Sequence, residues 1–134
     1  MKLMFVNLLC IITLCASTCK NEEGNSHYII QIKNNSSNQI IPAIPVRTGD
    51  GKCTLDGKIL NNGGQDNYRP FNFSIENSMN NKTSIEIYIV DPTKFNTPHK
   101  YYSCDSIEIN NKVLKHYLLT LEDLKNNNFT VTYP

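Results

Sequence analysis

The sequence predicts an all-β domain, a small sandwich with one short helix before its last strand. Three observations carry this. Short runs rich in Ile, Val, Tyr, Phe and Thr alternate apolar and polar residues at strand spacing. Asparagine pairs and triplets, at Asn34-Asn35, Asn61-Asn62, Asn80-Asn81 and Asn126-Asn127-Asn128, punctuate the chain, and Asn suits turns because it tolerates left-handed backbone and bonds its own main chain. No long stretch carries the helical period. The chain has 134 residues, room for one domain and not two. At 40% hydrophobic and 19% charged residues it is globular in composition.

In chain order, Tyr28 to Lys33 (YIIQIK) reads as a strand and residues 34–38 as a turn. Gln39 to Val46 is apolar, but Pro42 and Pro45 lack ladder donors, so an edge strand or an extended segment is expected. Residues 47–68 hold five of the six glycines and repeat Asp-Gly-Lys at 50–52 and 56–58; they suit a small hairpin or a long loop. Arg69 to Ile75 alternates with Phe71, Phe73 and Ile75 on one face, and Ser84 to Asp91 alternates with Ile85, Ile87 and Ile89 inward and Glu86 and Tyr88 outward. These two are expected to pair as a hairpin, the second ended by Asp91-Pro92. Ser106 to Ile109 is expected to be a short strand and Val113 to Leu119 a longer one. Thr120-Leu121-Glu122-Asp123 reads as a capping box opening a helix, in which Thr120 and Asp123 satisfy each other's amides. The helix stops at the Asn triplet, and Phe129 to Tyr133 is the final strand. About six strands and one helix give a sandwich of immunoglobulin-like general architecture.

Residues 1–18 read as an export signal. Lys2 supplies the positive start, and Leu3 to Cys15 is an apolar run of 13 residues. That run is short for a bilayer span, which takes about 20 apolar residues. Ala16, Ser17 and Thr18 then lead into Cys19, and small residues ending in Cys resemble a lipobox, in which the Cys is acylated and becomes the new N-terminus. Ala16 stands where Leu is usual and Thr18 where Gly, Ala or Ser is usual; bulky Leu14 makes Cys15 the poorer choice. The alternative is ordinary cleavage near Ala16 or Thr18, giving a soluble secreted protein. Residues 19–26 then form the lipidated Cys and a polar tether, with the β-rich domain spanning 27–134. Lys20, Glu22 and Glu23 so close to the Cys resemble the surface-export signal of Bacteroidetes lipoproteins, so the expected location is the outer membrane, on its periplasmic side or at the cell surface.

Cys53 and Cys104 remain after the signal and Cys19 are set aside, and an exported chain makes them a candidate disulfide. Closing such a loop is worth roughly 4 kcal/mol by chain entropy. Two unpaired thiols are the other reading; zinc is not expected without CxxC spacing or a nearby His. Lys2 is the one charged side chain before Cys19, leaving twelve basic and twelve acidic groups after it. No basic stripe follows from these, so no nucleic-acid partner is expected.

Catalytic signatures are absent from the sequence: no GxSxG, Walker loop, HExxH or paired-carboxylate pattern. His27, His99 and His116 have no ligand at metal spacing, Asp50 and Asp56 lack calcium-loop spacing, and no cofactor is expected. Tyr101 and Tyr102 are candidates to contact a protein or glycan partner, or else to cap a small core. Asp105-Ser106-Ile107 resembles the Asp-Ser/Thr-aliphatic triplet of Bacteroidetes O-glycosylation, with Ser106 the acceptor.

The C-terminal segments Val113-Leu114-Lys115-His116-Tyr117, Leu119 to Leu124 and Phe129 to Pro134, together with Ile32 to Ile40 and the strand ending at Asp91, resemble a family of small lipoproteins from gut Bacteroidales. His116 stands where that family usually has Arg, and Phe129 where it usually has Trp; residues 42–68 share little with it. The resemblance implies origin and export, and brings no catalytic residue or ligand. The expected function is a non-enzymatic envelope lipoprotein that binds a partner or supports an assembly. A periplasmic immunity or inhibitor protein is the alternative, and a pull-down dominated by one toxin or hydrolase would separate them.

Overall fold

The structure, a computed structural model, describes residues 26–80, 83–95 and 101–134. The expected signal, Cys19, the tether up to Asn25 and His99 lie outside the described residues. The described residues form eight strands: β1 (Ile30–Asn34), β2 (Ile41–Arg47), β3 (Lys52–Gly57), β4 (Gln65–Tyr68), β5 (Ile85–Val90), β6 (Tyr102–Ser103), β7 (Val113–Leu119) and β8 (Thr130–Tyr133). Three short helices are interspersed: α1 (Ile75–Ser78), α2 (Ile107–Asn110) and α3 (Leu121–Asn126). The strands make two sheets, one ordered β4-β1-β8 and the other β6-β3-β2-β5-β7. Every pair is antiparallel except β1 with β8. This is the mainly-β sandwich expected, with α3 as the short helix before the last strand.

Alternation builds the space between the sheets. Ile30 and Ile32 of β1 point inward with Ile85, Ile87 and Ile89 of β5, and Leu124, Phe129 and Val131 join them. Asn34 also points inward and is fully buried, which a polar side chain tolerates only when bonded. Its Nδ2 donates to the carbonyls of Asn38, Leu60 and Asn61 at 2.8 to 3.1 Å, and its Oδ1 accepts from the amide and hydroxyl of Ser36. Asn34 thereby ties the turn after β1 to the loop before β4.

Four expectations need correction. First, β2 is central in its sheet despite two prolines. It pairs with β5 over Ile41 to Ala43 and with β3 over Ala43 to Arg47. The ladders overlap at Ala43 alone, so each proline sits in a half-strand paired on one side only and its missing donor can face the open side. Second, residues 69–74 are not a strand, and Phe73 is 74% exposed. Both edges of β5 are occupied by β2 and β7, so no edge was left for the expected hairpin. Ser74 instead caps α1, its hydroxyl accepting from the Asn77 amide. Third, residues 106–109 are helical: Ile107 is buried and Ile109, two residues on, is 86% exposed. The Asn110 side chain closes that turn onto the Ser106 carbonyl and hydroxyl. Fourth, Tyr88 is buried, because the outer face of the five-stranded sheet has its own cover. Ile41, Ala43, Cys53, Leu55, Tyr88 and Val90 form a second core there under Ile107, Tyr102 and Phe95.

Within 47–68, the first Asp-Gly-Lys makes the β2–β3 hairpin turn, with Gly51 at φ +78°, a region a Cβ disfavours. The second ends β3, where a Cβ on Gly57 would stand 2.4 Å from the Pro42 carbonyl oxygen. At the other end of the chain the capping box on α3 is formed in full. After it, Asn128 and Phe129 both take positive φ, and Phe129 is held there by its burial and by stacking on His27 at 3.8 Å.

Candidate functional site

Three places concentrate polar or aromatic groups. The first is the cover over the second core. Cys53, fully buried on β3, is joined by a disulfide to Cys104, which opens the turn before α2. Tyr102 is half-buried against the same core, and its hydroxyl accepts from Asn111 Nδ2 at 2.8 Å. Burial pushes the Tyr102 phenol up. Ser106 donates its hydroxyl to the Ser103 carbonyl at 2.8 Å and accepts from Asn110. Tyr101, by contrast, is 48% exposed. The two tyrosines therefore divide: Tyr102 is committed to the fold, and Tyr101 is free to touch a partner.

The second place is the N-terminal margin of the domain. His27 Nδ1 lies 2.6 Å from Glu76 Oε1, and the His27 amide donates to the same carboxylate at 3.0 and 3.2 Å. The Ile75 amide returns a bond to the His27 carbonyl at 2.7 Å. Burial pushes the Glu76 carboxyl up, but the bonds from the His27 ring, its own amide and the His27 amide together leave it below the usual range. The pair joins residues 49 apart, and no local pattern in the sequence marks it. With the Phe129 ring stacked on the imidazole, it fastens the start of the domain to α1 and to the turn before β8. His116 is likewise stacked, on Tyr88 at 4.1 Å.

The third place is a cleft of about 290 Å³ that sequence reading did not reveal. It lies between the β2–β3 hairpin and strands β1 and β4 of the other sheet. Pro42, Ile44 and Val46 line it from β2, Asp56 from β3, and Asp66 and Tyr68 from β4. Lys58 pairs with Asp66 at 2.7 Å. Burial, and then the charge of Asp56, pushes the Tyr68 phenol up.

Among the described residues, no three His, Cys, Asp or Glu side chains gather as a metal site would require, and no helix is long and apolar enough to cross a membrane. Asp50 and Asp56, the Gly-flanked acids, are separate: Asp50 accepts from the Thr48 hydroxyl and the Lys52 amide and pairs with the Lys52 ammonium in the hairpin turn, while Asp56 borders the cleft. No family model matches this chain, and neither a curated protein nor a solved structure matches it.

Proposed function

We propose that the chain is a small, non-enzymatic binding or structural module of the cell envelope, exported by its N-terminal signal and anchored through lipid on Cys19. The observation that carries the reading is the run from Lys2 to Cys19: a positive start, a short apolar stretch, three small residues and a Cys. The resemblance of Ile32 to Ile40 and of the segments from Val113 to Pro134 to Bacteroidales lipoproteins supports the same origin and compartment. The domain supports the binding half of the reading. Its described histidines are occupied in ring stacking, while Tyr101 and the cleft beside Tyr68 remain open to solvent.

Lipid anchoring has a direct test. Each buried CH₂ contributes about 0.8 kcal/mol, so several acyl chains hold a domain of this size firmly to a bilayer. Wild-type protein should label with a fatty-acid analogue and sediment with membranes, and Cys19→Ala should release it. Wild-type protein that is already soluble and unacylated would overturn the anchor.

A further inference from the structure

We infer that the cleft between the β2–β3 hairpin and β4 is a binding site for an organic cation on an aliphatic stem: a guanidinium or ammonium group, free or carried by a side chain of a partner protein. This deepens the binding-module reading and does not depend on the lipid anchor, because the cleft lies wholly within the folded domain.

Two geometric facts make the cleft part of the fold rather than a dent in a loop. The lining comes from both sheets, Pro42, Ile44, Val46 and Asp56 from the five-stranded one and Ile32, Asp66 and Tyr68 from the three-stranded one. The lining also sits largely on paired strands. Asp56 stands opposite Ile44 in the β2–β3 ladder, and Asp66 stands opposite Ile32 in the β1–β4 ladder. At Gly57 the end of β3 presses against the Pro42 carbonyl, which fixes Asp56 on one side of the contact and Lys58 on the other. A site on such elements is preorganised.

The ligand class follows from what the lining lacks. Ile32 and Pro42 are buried, while Val46, also in the lining, is 43% exposed. That is an apolar surface suited to methylene groups. Of the two carboxylates, Asp66 already has Lys58. The Asp56 carboxylate has no hydrogen bond or ion pair among the described residues, and its charge is felt at the Tyr68 phenol. The cleft thus carries one more negative than positive charge, beside an aromatic ring whose face also attracts cations. A fatty or aromatic anion would meet Asp56 unfavourably, and a purely apolar ligand would leave Asp56 without a partner. A cation on a short aliphatic stem satisfies the carboxylate and covers Ile44 and Val46 together.

The test is an NMR titration of the isotope-labelled full chain with n-butylguanidinium, n-butanol and butyrate. An arginine in the middle of a short uncharged peptide is the fourth probe. The cation should shift the signals of Ile44, Val46, Asp56 and Tyr68, with millimolar affinity for so small a probe. Asp56→Asn keeps the shape and removes the charge, and should weaken binding by about fivefold or more. Lys58→Ala should leave binding intact or tighten it, since it frees Asp66. Tighter binding of the peptide than of butylguanidinium would identify the partner as a protein, and equal binding would identify a free cation. The inference is overturned if butanol binds as well as the cation, if a neutral sugar displaces it on equal terms, or if Asp56→Asn with unchanged melting leaves the affinity unchanged.

Discussion

The two faces of the five-stranded sheet support two cores, and they are built differently. The inner core lies against a second sheet, and its cover consists of strands and a capped helix whose residues alternate or repeat as such elements should. The outer core lies under residues 102–111, a two-residue strand, a turn and a four-residue helix. Elements so short have almost no stability of their own. They stay in place through the Cys53–Cys104 disulfide, the Tyr102–Asn111 hydrogen bond and the burial of Ile107. A sheet can therefore bury both faces of a strand such as β5 when one cover folds by pattern and the other is fastened covalently.

Substitutions in the inner core should have the largest effect. Ile87 is fully buried on β5 and Leu124 is 1% exposed on α3. Truncating either to Ala should cost about 2–5 kcal/mol, a large share of the roughly 5–15 kcal/mol such domains hold. Thermal melting should show a clear drop for Leu124→Ala and a milder one for Thr120→Ala, which removes a cap worth about 0.5–2 kcal/mol. If Leu124→Ala melts like wild type but loses a partner, α3 is an exposed contact surface and the inner core is smaller than described.

The outer core should yield next, and locally. Replacing both Cys53 and Cys104 by Ala removes a crosslink spanning 51 residues, worth up to about 4 kcal/mol by chain entropy and less where the unfolded chain is already compact. Hydrogen exchange should accelerate first in residues 102–111, with β1 and β8 keeping their protection until global unfolding. Uniform acceleration across both sheets would show that the two cores are one cooperative unit.

The same contrast explains what could be read from the sequence. Ile85-Glu86-Ile87 declares an inward face because a strand alternates, and Thr120 to Asp123 declares a helix start because the cap is local. Tyr88 reads as an outward residue by the same alternation; its burial depends on a cover joined through Cys104, far along the chain. Phe71 and Phe73 alternate as convincingly as the isoleucines, yet both edges of β5 were taken, and edge availability is a property of the assembled sheet. Pro42 and Pro45 are tolerated in a central strand only because β2 changes partner at Ala43. The cleft and the His27–Glu76 pair were illegible for a related reason. Asp56 and Tyr68, or His27 and Glu76, become neighbours through sheet order rather than through spacing.

Acid should distinguish the two covers more finely, with the smallest effect. Asp123 fastens the inner helix: its carboxylate accepts from the Thr120 hydroxyl at 2.7 Å and amide at 2.9 Å, and these bonds hold its carboxyl below the usual range. Asp91 serves the outer side. It caps the turn after β5 and pairs with Lys112, just before β7; the Lys112 and Thr93 bonds hold its carboxyl well below the usual range. Asp50, in the hairpin turn, is lowered to about 2 by Thr48 and Lys52. In each case the folded state binds its proton less readily than the unfolded chain, so stability rises with pH through the window between the two values. Each contribution is complete above the ordinary Asp value near 4 and fades as pH falls below it, for Asp50 through the range down to about 2. Asp50 and Asp123 are exposed and Asp91 is partly exposed, so the effects are small and shrink further with salt. Melting temperature measured from pH 6 to pH 2 should fall, and Asp123→Asn should flatten part of that fall. Asp91→Asn should flatten less of the global melt but abolish the acid-induced speeding of exchange in residues 102–113. Superimposable profiles for wild type and both variants would mean that these carboxylates fasten neither cover.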